Sequence, residues 1–287
     1  MQLAENQLES IIKNALQEDI QSGDITTEAS VPKNIKAAGR FLVKQDGVIS
    51  GLKVVEKTFH IFNPSLLFSK KVSDGDKVAE DTIAAIVEGN ATSILSVERT
   101  ALNFMQRMSG IATAANKFSE IIKHTKAKII DTRKTVPGLR LLDKLAVADG
   151  GCENHRMGLY DMFLIKDNHI TAAGSITGAV NECRKYQAKK GTDFKIEVET
   201  ANLDQVEEAL TCAVDIIMLD NYEIEQMKNA VKLIKGRCKI EVSGMVNINT
   251  VKEIAETGVD FISVGALTHS VKALDISLKI EINRPNK

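Results

Sequence analysis

The sequence predicts an α/β protein: an incomplete parallel β/α barrel, TIM-like in layout, joined to a smaller N-terminal α+β sheet domain. Three observations carry this. Short apolar runs alternate with amphipathic helical stretches through the second half of the chain, the pattern of a parallel sheet. Polar and charged residues cluster at the carboxyl ends of those runs, where a β/α barrel collects its functional groups. The first hundred residues have a different texture, with short β-rich runs broken by Gly and Asp.

The elements follow in order. Leu8, Ile11, Ile12, Ala15 and Leu16 recur at helical spacing, and Gly23-Asp24 stops that helix. From Ala37 to Ser96 the runs Gly39–Val43 and Gly47–Gly51, and the turn Ser73-Asp74-Gly75-Asp76, predict a small sheet. A long helix over about Ser96 to His124 places Leu102, Met105, Met108 and Ile111 on neighbouring turns. Six strands are then expected at Lys128–Asp131, Met162–Lys166, Phe194–Glu199, Asp215–Asp220, Lys239–Ser243 and Phe261–Gly265. Eight are standard, so the barrel is read as incomplete. Val271, Leu274, Ile276, Leu278 and Ile280 are read as a C-terminal helix over 270–287 that packs back on the first domain. The expected domains are 1–111 and 112–269.

Composition narrows the function. With 287 residues, 44% of them hydrophobic and 26% charged, the chain can bury a substantial core. Lys and Arg total 37 against 38 Asp and Glu, and there is no Trp with only three Tyr. That balance predicts neither nucleic acid nor a membrane as partner, and makes any anion site local. The N-terminus lacks the basic start and apolar stretch of a secretory signal, and none of the four cysteines lies closer to another than Cys212 to Cys238, 26 residues apart. A cytoplasmic protein with reduced thiols is expected. The chain also lacks a Gly-x-Gly-x-x-Gly turn and a Walker lysine loop.

The densest chemistry runs from Asp131-Thr132-Arg133-Lys134 to Arg140, through Asn154-His155-Arg156, to Lys166-Asp167-Asn168-His169. So many cations at strand ends predict a polyanionic ligand, because an unpaired charge taken from water is costly; the bland alternative is pairing with Asp131 and Asp167. Glu199 and Asp220 end adjacent strands and offer oxygen ligands suited to Mg²⁺, or alternatively salt bridges to nearby lysines. Ser243-Gly244 and Gly265-Ala266 end the last two strands and are expected to lead into helices whose amides face a phosphate. His60, His124 and His169 are expected to be structural or exposed.

Together these segments resemble the quinolinate phosphoribosyltransferases. The resemblance spans nearly the whole chain: Glu18-Asp19-Ile20 with Gly23–Thr27, Glu98–Asn103, Asp131–Arg140, Asn154–Arg156, Leu164–His169, Glu197–Glu199, Leu219–Asn221, Glu241–Gly244 and Gly265–Thr268. It implies transfer of phosphoribosyl from phosphoribosyl pyrophosphate to quinolinate with loss of CO₂, giving nicotinate mononucleotide and pyrophosphate for de novo NAD synthesis. It implies that Arg133, His155, Arg156 and Lys166 bind the two carboxylates, with Thr132 beside them and Arg99 reaching in from another subunit of a homodimer or higher homo-oligomer. It further implies catalytic roles for Lys134, Glu199 and Asp220, with Mg²⁺ at the last two, and phosphate contacts at Ser243, Gly244, Gly265 and Ala266. Two departures touch backbone turns: Cys152 stands where a third glycine is usual, and Met245 where Gly or Asn is common.

Two other functions remain to be distinguished. A phosphoribosyltransferase of the same fold acting on another acid would not release CO₂ from quinolinate. A non-catalytic carrier built on the Asp74–Val87 segment would show a mass shift from biotinylation or lipoylation, although no modifiable lysine sits at a hairpin tip there.

Overall fold

The computed structural model describes residues 2–283; Met1 and the last four positions of the expected C-terminal helix, 284–287, lie outside the described residues. The chain divides into two compact units, one of Met1–Asn116, Thr135–Gly151 and Thr268–Lys287, the other of Lys117–Lys134 and Cys152–Leu267. A boundary at 111/112 falls inside one continuous helix, and the 135–151 segment joins the first unit rather than the barrel.

The first unit opens with α1 (Gln2–Ile20) and α2 (Ile25–Ser30), the latter capped by Asp24, whose Oδ1 accepts the Thr27 N–H at 3.0 Å. Its sheet contains β1 (Lys36–Val43), β3 (Leu67–Lys70), β5 (Ile83–Asn90) and β12 (Ile276–Asn283) in the antiparallel order β12-β1-β5-β3. The short strands β2 (Gly47–Val48) and β4 (Lys77–Val78) pair separately. Between them α3 (Leu52–Phe62) buries Leu52, Val55 and Phe59, a helical repeat inside a span the sequence analysis read as sheet alone. Phe41, Phe59 and Phe68 meet with ring centroids 6.1–6.2 Å apart and anchor this core. Truncating Phe41 or Phe59, both fully buried, is expected to cost about 3–5 kcal/mol.

The C-terminal segment is a strand and not a helix. Ile276, Leu278, Ile280 and Ile282 alternate with Ser277, Lys279 and Glu281, the period of two that a half-buried strand requires. β12 pairs with β1 from Lys36↔Asn283 to Val43↔Ile276, so the expectation that this segment returns to the first domain holds with a different element. The 268–275 stretch presses on α4 (Ala91–Ile122), where Gly110 leaves no room for a side chain: a Cβ there would lie 2.3 Å from the Lys272 carbonyl oxygen. Further along the same unit, α5 (Arg140–Asp149) is fastened to α4 by Arg107, whose Nε and Nη2 each donate to the fully buried Asp143 carboxylate at 2.9 Å.

The second unit contains the expected six strands: β6 (Lys128–Ile130), β7 (Phe163–Ile165), β8 (Ile196–Thr200), β9 (Ile216–Asp220), β10 (Lys239–Ser243) and β11 (Phe261–Ser263). All pair in parallel in the order β6-β11-β10-β9-β8-β7. Among the described residues a single bridge, Ile130↔Glu153, continues the ladder past β6 toward β7. The barrel is therefore incomplete on that side. Its connections carry α6 (Asp167–Ala173), α7 (Ile176–Lys190), α8 (Leu203–Thr211), α9 (Ile224–Ile234), α10 (Val251–Glu256) and α11 (Ala266–His269). Ser175 and Asn202 cap α7 and α8 by accepting backbone N–H groups three residues on. Among the described residues, no helix is long and apolar enough to cross a membrane.

Candidate active site

The second unit brings the sequence-predicted residues to one edge of its sheet. Asp220 and Ser243 are the last residues of β9 and β10 and are register partners, and Glu199 is the penultimate residue of β8. Lys166 follows β7 directly, Gly265 lies two residues past β11, and Thr132, Arg133 and Lys134 follow β6. Parallel pairing aligns the carboxyl ends, so residues scattered over 134 positions share one rim. Arg99 and Arg140 belong to the first unit, Arg99 exposed on α4 and Arg140 donating to Thr135 Oγ1 at 3.0 Å.

The cations are unequally satisfied. Lys166 Nζ donates to Glu199 Oε2 at 2.7 Å, so the salt-bridge reading of Glu199 describes this conformation. The Lys166 backbone N–H donates to His169 Nδ1 at 2.9 Å; His169 is exposed and caps the start of α6, in line with the expectation that it is structural or exposed. Arg156 donates through Nη1 to the Met162 carbonyl at 3.1 Å. The Nε atoms of Arg133 and Arg156 are buried without a hydrogen-bond partner. Burial and then the neighbouring Arg133 charge push the Arg156 guanidinium below its ordinary range, with Glu197 and Asp161 opposing them. Lys134 donates its backbone N–H to Thr132 Oγ1 at 3.0 Å, which tightens the loop after β6.

Glu199 and Asp220 both line a cavity of about 250 Å³ with Asp167, Thr171 and Gln205. Asn221 steadies this corner. It donates from Nδ2 to Asp220 Oδ2 at 2.8 Å and from its backbone to the Ser243 carbonyl at 2.9 Å, at a φ of 57°. Gly244 also takes a positive φ, 93°, and a Cβ there would sit 2.1 Å from Asn221 Oδ1, so this turn requires glycine. Ser243-Gly244 does not enter a helix at once, because a turn over 244–250 precedes α10. Gly265 leads straight into α11, a single four-residue turn starting at Ala266.

Of the two departures, Met245 adopts φ 51° and stands 73% exposed, held by its carbonyl, which accepts from Thr250 Oγ1 and Asn247 Nδ2 at 3.4 Å each. Cys152 is buried, and its thiol is pushed up to about 12 by burial and the charges of Asp131 and Glu153, so it is unreactive as a nucleophile.

Beneath the rim lie three acids, of which sequence reasoning weighed Asp131 as a pairing partner and did not single out the other two. Asp131, fully buried, accepts the His155 backbone N–H at 2.8 Å. Glu197 on β8 and Glu241 on β10 are 0% and 1% exposed; His155 Nε2 stands 2.9 Å from Glu197 Oε2 and 3.5 Å from Glu241 Oε2. Burial pushes the Glu197 carboxyl up to about 7, against the pull of the neighbouring Glu241, Arg156 and Lys166. Burial and then the Glu197 charge raise Glu241 well above the carboxylate range. A signal was present: Ile196-Glu197-Val198 and Ile240-Glu241-Val242 each set one acid between two β-branched residues mid-strand, which in a sheet covered by helices points the acid into the barrel.

Comparison with known proteins divides the chain within α4, near residue 110, close to the boundary expected from sequence and not where the two compact units part. Residues 24–109 match the family model for the quinolinate phosphoribosyl transferase N-terminal domain, and 111–279 that for its C-terminal domain. The chain is 46% identical over 290 residues to quinolinate phosphoribosyltransferase [decarboxylating] 2b, mitochondrial, of Nicotiana tabacum, covering 96% of this chain and 82% of that protein. It is 42% identical over 271 residues to a probable nicotinate-nucleotide pyrophosphorylase [carboxylating] of Synechocystis, covering 93% and 90%. The crystal structure of NadC from Streptococcus pyogenes superposes with a TM-score of 0.92 at 38% identity, covering 97% of this chain and 98% of that one.

Proposed function

The chain belongs to the quinolinate phosphoribosyltransferase family and is a decarboxylating phosphoribosyltransferase of de novo NAD synthesis, and we propose that its barrel rim divides that reaction between an acid-binding side and a phosphoribosyl side. The products are nicotinate mononucleotide, pyrophosphate and CO₂. One observation carries the division: Arg133 and Arg156 keep buried Nε–H groups without acceptors, and a dianionic pyridine supplies them.

On the acid side Arg133, Arg156, Lys166, His155 and Thr132 receive the two quinolinate carboxylates, with Arg99 of the partner subunit completing the set in a homodimer. Charge-assisted contacts of this kind are worth ~1.5–3 kcal/mol each. They hold the ring so that its nitrogen faces the ribose C1 in a near-attack position. Once the nitrogen is quaternised, the ring itself stabilises the electron pair left at C2 when CO₂ departs. The chain therefore has only to hold that carboxylate without binding it more tightly than the transition state.

On the phosphoribosyl side Lys134 offsets charge on the departing pyrophosphate, while Ser243, Gly244, Gly265 and Ala266 receive the 5′-phosphate on backbone turns. The oxygen donors of Glu199 and Asp220, facing one cavity of about 250 Å³, fit Mg²⁺, which keeps water and substrate oxygens among its ligands. When bound, the ion neutralises the pyrophosphate leaving group. With Glu199 so engaged, Lys166, which donates to it in this structure, would be free to turn toward the acid. A cytoplasmic setting is supported by the four free cysteines, and the near-zero net charge supports partners other than nucleic acid or membrane.

The test is incubation with quinolinate, phosphoribosyl pyrophosphate and Mg²⁺, following nicotinate mononucleotide by chromatography and CO₂ by isotope release. Product formation from another acid without CO₂ would overturn the assignment, and full activity in excess chelator would remove the metal from it.

A further inference from the structure

We infer that His155, Glu197 and Glu241 form a binding site for one divalent transition-metal ion, separate from Glu199 and Asp220. One ligand atom from each of the three lies within 4.8 Å of the other two. A four-coordinate ion with ligand bonds of about 2.0–2.2 Å sets its ligand atoms roughly 3.3–3.5 Å apart. The separations of 2.9 Å and 3.5 Å from His155 Nε2 to the two carboxylate oxygens need shifts of only a few tenths of an ångström to admit the ion.

The second observation is what these carboxylates lack. Glu197 Oε1 and both oxygens of Glu241 are buried without a hydrogen-bond partner, on side chains 0% and 1% exposed. Oxygens taken from water in this way call for a cation or donors, and both acids converge on one imidazole nitrogen. His155 is itself pinned from behind by Asp131, so the donor set is largely preorganised.

Access comes from the other end of the strands. A cavity of about 350 Å³ is lined by His155 and Glu241 together with Asp215, Lys239 and Phe261, residues at or just before the starts of β9, β10 and β11. Arg156 lines the same cavity, which supplies space for water as a fourth ligand. Imidazole with two carboxylates in a dry site favours Zn²⁺ or Co²⁺ over Mg²⁺, which takes oxygen ligands and retains its water. Held through His155 Nε2, the ion ties the 153–156 segment to β8 and β10. Its bearing on quinolinate rests on the assignment of His155 above; the site itself does not.

The experiment titrates chelator-stripped protein with Zn²⁺ in excess Mg²⁺ by calorimetry, and with Co²⁺ by visible absorption. One equivalent, four-coordinate Co²⁺ bands, and a raised melting temperature are expected. Glu241→Gln and Glu197→Gln should each weaken binding by more than about tenfold, whereas Glu199→Gln and Asp220→Asn should retain the equivalent. Absence of binding, or a six-coordinate Co²⁺ spectrum in the wild type, would overturn the site without needing any variant to fold. Loss of the equivalent only in Glu199→Gln or Asp220→Asn would place the ion at the rim and overturn it equally, leaving the phosphoribosyl assignment intact.

Discussion

Arg107 in the first unit and Arg156 in the second differ in how completely the protein satisfies them. Arg107 meets the buried Asp143 through two hydrogen bonds of 2.9 Å and reaches the Thr268 carbonyl at 3.3 Å. Arg156 spends one N–H on the Met162 carbonyl, keeps a buried Nε unpartnered, and lies in the field of a second such cation, Arg133. A charge that serves the fold is saturated by the fold. A charge of the kind proposed above to serve a ligand is left with open donors, and on that proposal the local structure bears the cost until the ligand arrives.

Removing the saturated cation should therefore have the largest effect on stability. Arg107→Ala leaves Asp143 buried without its partner and is expected to cost about 3–5 kcal/mol, read from the denaturant midpoint at constant slope. Arg133→Ala and Arg156→Ala should leave that midpoint nearly unchanged while weakening quinolinate binding by ~1.5–3 kcal/mol, roughly 10- to 150-fold. If either one destabilised the fold as Arg107→Ala does, the contrast would fail.

Acidity sharpens the same comparison. The Glu197 carboxyl is raised by burial from 4.5 to about 7, so between those values the folded chain holds a proton that the unfolded chain has released. Stability contributed at acid pH is lost as pH rises through that window. Glu197→Gln should remove this loss, its stability relative to wild type growing from pH 4.5 to 7 in parallel denaturation series. A constant offset across that range would locate the strain elsewhere.

The smallest effect sorts Arg99, an exposed arginine of the first unit assigned here to the ligand-directed class. If the sites are shared across a homodimer as proposed, inactive Arg99→Ala and Lys166→Ala chains, mixed under subunit exchange, should regain up to about a quarter of wild-type sites, because half the dimers are mixed and each has one intact site of two. No recovery despite demonstrated exchange would confine Arg99 to its own chain.

What could be read in advance follows the same distinction between regular repeats and tertiary context. The six barrel strands and their terminal residues were legible because parallel pairing turns a linear pattern, apolar run then polar end, directly into a rim. Glu197 and Glu241 escaped notice because each lies mid-strand, two residues before a more conspicuous one, on the same face as Glu199 and Ser243. The 270–287 segment was misread because Val271 and Leu274 share a helical interval that then gives way to the alternation of Ile276–Ile282. Helix α5 could not be assigned to the first unit from its own residues: Asp143 finds Arg107 36 positions away, and no local pattern encodes that pairing.

The place of β12 beside β1 bears on how the chain is made. Each barrel strand pairs with one that is close in synthesis, apart from the closure of β11 on β6, so most of the second unit can assemble as it leaves the ribosome. In the first unit, Lys36 waits for Asn283, 247 residues later. Until then β1 presents an open edge, a template for pairing with another nascent chain. β12, the last of the described strands, is the one that closes it.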